Sequence, residues 1–156
     1  RFRNVTGVQT CALPISLFQQ LLDLYVKYGC YQESLISITK KGRDGQVQIA
    51  KMMERFRHQP PRKLNGIPVV QLLDYELQKG KNLLSGEEWN LALPKSNVLQ
   101  FVLADDSKIS ARPSGTEPKI KFYFSVNAPL PARDLYDQVH ADLEARIQGI
   151  ITDLNP

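Results

Sequence analysis

Apolar residues recur at helical spacing in three parts of the chain and alternate with polar ones in several others. Leu17, Leu21, Leu24, Tyr25 and Tyr28 share one helix face, with Gly29 placed to stop the helix. That stripe is short and apolar, and is expected to pack on something outside this stretch of sequence. Leu35 to Thr39, Leu-Ile-Ser-Ile-Thr, has the alternation of a strand. Asp44 is a candidate cap for a second helix carrying Val47, Ala50, Met53 and Phe56 on one side. Pro60-Pro61 ends it, since neither residue donates a backbone bond and each restricts its predecessor. Ile67 to Leu73 reads as a strand behind an Asn65-Gly66 turn. Periodicity then fades from Glu76 to Asn97, where Gly80, Ser85-Gly86 and Pro94 predict a long surface connection.

Val98 to Leu103, the turn Ala104 to Ser107, and Lys108 to Arg112 predict an antiparallel hairpin. Alternation is clearest from Lys119 to Val126. Ile120, Phe122, Phe124 and Val126 point one way; Lys119, Lys121, Tyr123 and Ser125 point the other. After Pro129 and Pro131 a final helix carries Leu135, Val139, Leu143, Ile147, Ile150 and Leu154 as its buried stripe. The expected fold is α+β: an antiparallel or mixed sheet of about four to five strands, with two helices packed on one face.

Composition narrows the function classes. No apolar run approaches the roughly 18 residues of a membrane helix. The net charge of +4 is mild and, apart from Lys40-Lys41-Gly42-Arg43, dispersed, which is a weak footprint for a nucleic-acid binder. Cys11 and Cys30 make neither a disulfide framework nor a zinc pattern, so a reducing, cytoplasmic setting is expected. Residues 1–16 have no continuous apolar run of the signal-peptide kind. Val5 to Ile15 looks like the in-frame translation of a sequencing adapter, so 1–16 are set aside as an artefact and Cys11 with them.

Candidate chemistry is concentrated between Ser110 and Phe124. Pro113 ends strand pairing just after Arg112. Gly115 is able to take a positive φ and turn successive N–H groups into one concavity, while Ser114 and Thr116 add hydroxyls. Arg112 supplies a planar fork for two phosphate oxygens, and Lys119 and Lys121 fall on one face of the following strand. Glu117 is expected to serve the loop's own hydrogen bonding. Ser-Gly-Thr is also ordinary turn composition and surface lysines are usually just solvated, so these residues alone leave both readings open. His58, His140 and Trp89 are expected in structural or solvated roles, and Cys30 as a small buried residue. Asp105-Asp106 reads as a hairpin turn and not as a metal site.

Arg-Pro-Ser-Gly-Thr-Glu-Pro-Lys-Ile-Lys at 112–121, with Leu93 to Leu99 before the hairpin and Lys119 to Phe124 after the loop, resembles the α-D-phosphohexomutase superfamily, the phosphoglucomutases and phosphomannomutases. The resemblance covers Leu17 to Asn155 and concerns the C-terminal region of those enzymes. It implies a four-domain parent, a phosphoprotein that interconverts hexose 1-phosphate and hexose 6-phosphate through a bisphosphate intermediate. A phosphoserine and a Mg²⁺ site would lie in the other domains. Residues 17–29 would then end the third, α/β domain, and 30–156 would form the fourth, a TATA-binding-protein-like domain that grips the phosphate not being transferred. Arg112, Ser114, Gly115 and Thr116 would hold it directly, with Lys121 and, more weakly, Lys119 in support.

No Ser-His phosphoserine motif or Asp-x-Asp-x-Asp cluster occurs in the chain. Catalytic residues and a metal site are therefore expected to be absent, and the chain inactive alone. The expected partners are glucose and mannose phosphates and the remaining mutase domains, with no nucleic acid and no membrane. The competing reading is a stand-alone, non-enzymatic module binding anions or nucleic acid.

Overall fold

A computed structural model describes residues 16–156 apart from Lys41 and Arg43. The adapter-like segment, Cys11 and two members of the basic run therefore lie outside the described residues. The chain runs α1 (Leu17–Tyr28), β1 (Cys30–Thr39), α2 (Gly45–His58), β2 (Lys63–Leu64), β3 (Ile67–Asp74), β4 (Lys79–Asn82), β5 (Glu88–Asn90), β6 (Leu99–Leu103), β7 (Lys108–Pro113) and β8 (Lys119–Ala128). A 3-10 turn at Arg133–Leu135 leads into α3 (Tyr136–Leu154).

All strand pairs are antiparallel, in the order β1-β8-β7-β6-β3-β4-β5, with β2 pairing to β3. The α+β class is as expected, but the sheet has eight strands where four to five were predicted. Most of the excess lies between Glu76 and Asn97, read from sequence as a surface connection. Lys-Gly-Lys-Asn and Glu-Trp-Asn have no apolar alternation to betray strands. What fixes their hairpin is Trp89 lying over Gly80, where any Cβ would overlap the indole ring. Trp89 thus has a structural role, as expected.

The clear alternation of β8 is realised: Ile120, Phe122, Phe124 and Val126 are buried. They face α2 and α3, which lie on the same side of the sheet. Phe56 of α2 meets Phe101 and Phe122 edge-on, at 5.7 and 6.2 Å between ring centroids. The inward face of α2 differs from the prediction. Ile49, Met53 and Phe56 are buried, whereas Val47 and Ala50 are exposed. Both sets fit a helical period, and only the position of the sheet chooses between them. Asp44 occupies the N-cap position but makes no side-chain cap bond. Its neighbour Gly45 is required sterically, because a Cβ there would overlap the Lys40 carbonyl oxygen and crowd Pro118.

In α3, Leu143, Ile147, Ile150 and Leu154 are buried as expected; Leu135 sits in the 3-10 turn and is exposed. Helix α1 is capped by a reciprocal Ser16–Gln19 box. It docks through Leu22, Phe18 and Tyr25, the last two against Tyr136. The stripe of Leu17, Leu21, Leu24 and Tyr28 faces away from the body of the fold. No helix among the described residues is long and apolar enough to cross a membrane.

Candidate anion-binding site

Strands β7 and β8 place the cations. Arg112 and Lys121 are direct cross-strand partners, and Pro113 pairs with Ile120 as the ladder ends. Period-2 geometry puts Arg112, Lys121 and Lys119 on the outer face of the sheet, opposite the helices. Like charges directly opposite each other destabilise a sheet. Among the described residues no carboxylate lies within ion-pair distance of these three groups to relieve them. Together with Pro113, Ser114, Gly115 and Glu117 they line an open cavity of about 260 Å³.

The loop between the strands is tied at its base and loose at its tip. The Ser114 N–H donates to the Lys119 carbonyl at 2.8 Å, and the Lys119 N–H to the Glu117 carbonyl at 2.7 Å. At the tip the Thr116 and Glu117 amides reach only Ser114 Oγ, at long distances of 3.4 and 3.3 Å. These two N–H groups are weakly held, and so can turn to a better acceptor at little cost. Gly115 departs from the expectation. It has no positive φ, and a Cβ added there would meet nothing within 4 Å. The loop curves through the Ser114 turn instead, and Gly115 contributes open access rather than a left-handed nest. Thr116 is exposed at the rim and does not line the cavity. Glu117 serves the loop through its backbone only; its carboxylate makes no hydrogen bond among the described residues, and the residue borders the cavity, contrary to expectation.

Two polar residues at this face escaped the sequence reading. Ser37 and Thr39 of β1 pair with Lys121 and Lys119, which completes the rows Arg112–Lys121–Ser37 and Lys119–Thr39. The available signal was the polar half of the Ser-Ile-Thr alternation. The link from Lys40 N–H to the Pro118 carbonyl, at 2.9 Å, secures the loop to the end of β1.

Behind the loop lies a charged network that the sequence did not reveal. Arg57 of α2 donates through Nε to Asp74 Oδ2 at 2.8 Å, through Nη1 to Glu54 at 2.9 Å, and through Nη2 to Glu76 and Asn97. Asp74, 5% exposed, also accepts from the Glu76 and Leu77 amides. Burial pulls the Arg57 pKa down, but the hydrogen bond and charge of Asp74, with Glu76 and Glu54, outweigh it and raise the pKa above its ordinary value. The network borders a second cavity, of about 340 Å³, that shares Ser114, Gly115 and Glu117 with the first. Asp74→Ala removes acceptors from three donors, so it is expected to cost about 2 to 3 kcal/mol in urea unfolding.

A larger cavity, about 550 Å³, lies beyond the network against β4 and β5. Its Lys81 is already paired with Glu88 at 3.0 Å, which also holds the Glu88 carboxyl below its usual pKa. Lys79 and Lys95 also line this cavity with no ion pair among the described residues, so what distinguishes the loop cavity is Arg112 set directly across the strands from Lys121 beside weakly held amides. Asp105 accepts from Arg146 at 2.9 Å and from the Ser107 amide, as a turn residue would. His58 pairs with Glu54, and His140 lies against Tyr136. Cys30 is buried, which raises its thiol pKa. Among the described residues no group of three or more His, Cys, Asp or Glu side chains is placed to hold a metal ion.

The chain is 33% identical over 132 residues to a phosphoglucomutase of Staphylococcus haemolyticus, covering 83% of this chain and 24% of that protein. It is 37% identical over 114 residues to a phosphoglucomutase of Staphylococcus aureus, covering 73% of this chain and 20% of that protein. The chain thus spans a quarter or less of the length of these curated relatives. Among solved structures, the open form of the exocytosis-sensitive phosphoprotein parafusin, a phosphoglucomutase from Paramecium, matches 94% of this chain and 25% of its own, at 14% identity and a TM-score of 0.46. No family model matches.

Proposed function

Since the chain belongs to the α-D-phosphohexomutase superfamily as a counterpart of the C-terminal region of phosphoglucomutases, we propose that it grips the phosphate of a hexose phosphate that is not being transferred. Arg112 supplies the bidentate fork. Lys121 and Lys119 add charge, Ser114 supplies its hydroxyl, and the loosely held tip lets Thr116 turn in from the rim to add its amide and hydroxyl. The observation that carries this reading is the unrelieved Arg112–Lys121 pair beside weakly held loop amides. An anion removes the repulsion and satisfies the donors together.

Holding one end of the sugar orients the other against a phosphoryl donor. A fixed phosphate contributes to catalysis through positioning of this kind. The donor serine and the Mg²⁺ of the parent enzyme belong to other domains in this reading, and the Mg²⁺ would supply charge neutralisation there. Residues 17–29 close the third domain and 30–156 form the fourth, in a cytoplasmic enzyme acting on glucose or mannose phosphates. The purified chain should give no turnover of glucose 1-phosphate in a coupled assay, yet should bind glucose 6-phosphate in calorimetry. Turnover at a normal mutase rate, or an absence of binding, would refute the proposal. A nucleic-acid module would instead show steeply salt-dependent oligonucleotide binding.

A further inference from the structure

The cation row continues along the sheet into a second, differently built hollow. One two-residue step from Arg112 and Lys121, about 7 Å at roughly 3.4 Å per residue, the outer face presents Ser110, Tyr123 and Leu35 as direct cross-strand partners. Tyr123 is 38% and Leu35 50% exposed, so an aromatic ring and an aliphatic side chain form an open platform. One step further, Lys108, Ser125 and Glu33 form a polar row. These residues line a hollow of about 440 Å³, within the ~300–1,000 Å³ span of small-molecule sites.

The polar groups are oriented for use. Gln100, opposite Ser110, donates through Nε2 to Ser110 Oγ at 2.9 Å and accepts from the Tyr75 hydroxyl at 3.3 Å. With its oxygen engaged as an acceptor, the Ser110 hydroxyl keeps its proton to donate outward. Glu33 adds a carboxylate acceptor and Lys108 a donor. An apolar platform rimmed by hydroxyl, carboxylate and ammonium groups suits a polyhydroxylated ring, which has apolar C–H faces and a polar edge.

We propose that Tyr123 is a positioning residue for the sugar: with the phosphate held at Arg112 and Lys121, the hexose ring lies along the outer sheet face on Tyr123 and Leu35, its hydroxyls reaching Ser110 and Glu33. The inference rests on the loop being the phosphate grip. It adds a sugar-sensing half to that grip, so the chain distinguishes a hexose phosphate from phosphate alone.

The test is calorimetry on the full chain at pH 8 with two probes, inorganic phosphate and glucose 6-phosphate. Glucose 6-phosphate should bind about fivefold tighter than phosphate, the scale of one aromatic contact. Tyr123→Ala should erase that preference and leave phosphate affinity unchanged, which also shows an intact loop. Tyr123→Phe, which keeps the ring, should retain it. Equal affinities in the unaltered chain, or a preference that survives Tyr123→Ala, would overturn the sugar subsite and leave the phosphate grip standing. Failure of both probes to bind would overturn the grip and the subsite together.

Discussion

Phe122→Ala is expected to destabilise the fold by about 3 to 5 kcal/mol, read as a lower midpoint in urea unfolding. The side chain is fully buried in β8 and meets Phe56 of α2 edge-on. Its strand neighbours Ile120 and Phe124 are buried beside it. Truncation therefore forfeits apolar burial and opens a cavity where strand, α2 and α3 leave little room to collapse. A domain of this size is stable by only about 5 to 15 kcal/mol, so the loss is a large share of the whole. The consequence is also local. Phe122 lies between Lys121 and Tyr123 and pairs across the sheet with Ala111, next to Arg112. A loosened inner face lets the outer cations drift, and ligand affinity should fall with stability. Phe122→Leu, which keeps most of the volume, should lose much less of both.

The second large effect concerns Arg112. A charge-assisted hydrogen bond is worth about 1.5 to 3 kcal/mol, and a guanidinium fork makes two of them to one phosphate. Arg112→Ala should therefore weaken hexose phosphate binding about a hundredfold, close to 3 kcal/mol. Arg112→Lys keeps the charge but not the fork, and should fall between the two. Stability should move the other way or not at all. Arg112 is exposed, and its removal ends the like-charge contact with Lys121. A loss of binding without a loss of stability separates a ligand contact from a structural one.

What the sequence disclosed and what it hid divide along a physical line. Strand β8 was legible because a strict alternation of large apolar residues can satisfy only one register with one buried face. The Arg112-to-Lys121 cluster was legible because its residues are close in sequence and the intervening loop is short. Ser37 and Thr39 join the same site only through the β1–β8 pairing, a contact between distant parts of the chain that no local pattern encodes. The same holds for Arg57, whose partners Asp74, Glu76 and Asn97 come from other elements. Strands β4 and β5 were hidden because they owe their pairing to one indole over one glycine and not to alternation. The turn at Gly115 failed as a prediction for another reason. Glycine permits a positive φ but does not impose one, and here the Ser114 hydroxyl closes the turn without it.

In this account the Ser114–Thr116 loop, tied at its base and free to turn at its tip, grips a sugar's phosphate. Amide chemical shifts of the ¹⁵N-labelled chain, followed while glucose 6-phosphate is added, test it most directly. Saturable shifts centred on Ser114, Gly115 and Thr116, lost in Arg112→Ala, are the predicted result. Shifts confined to other parts of the chain, or loop shifts that persist in Arg112→Ala, would contradict it.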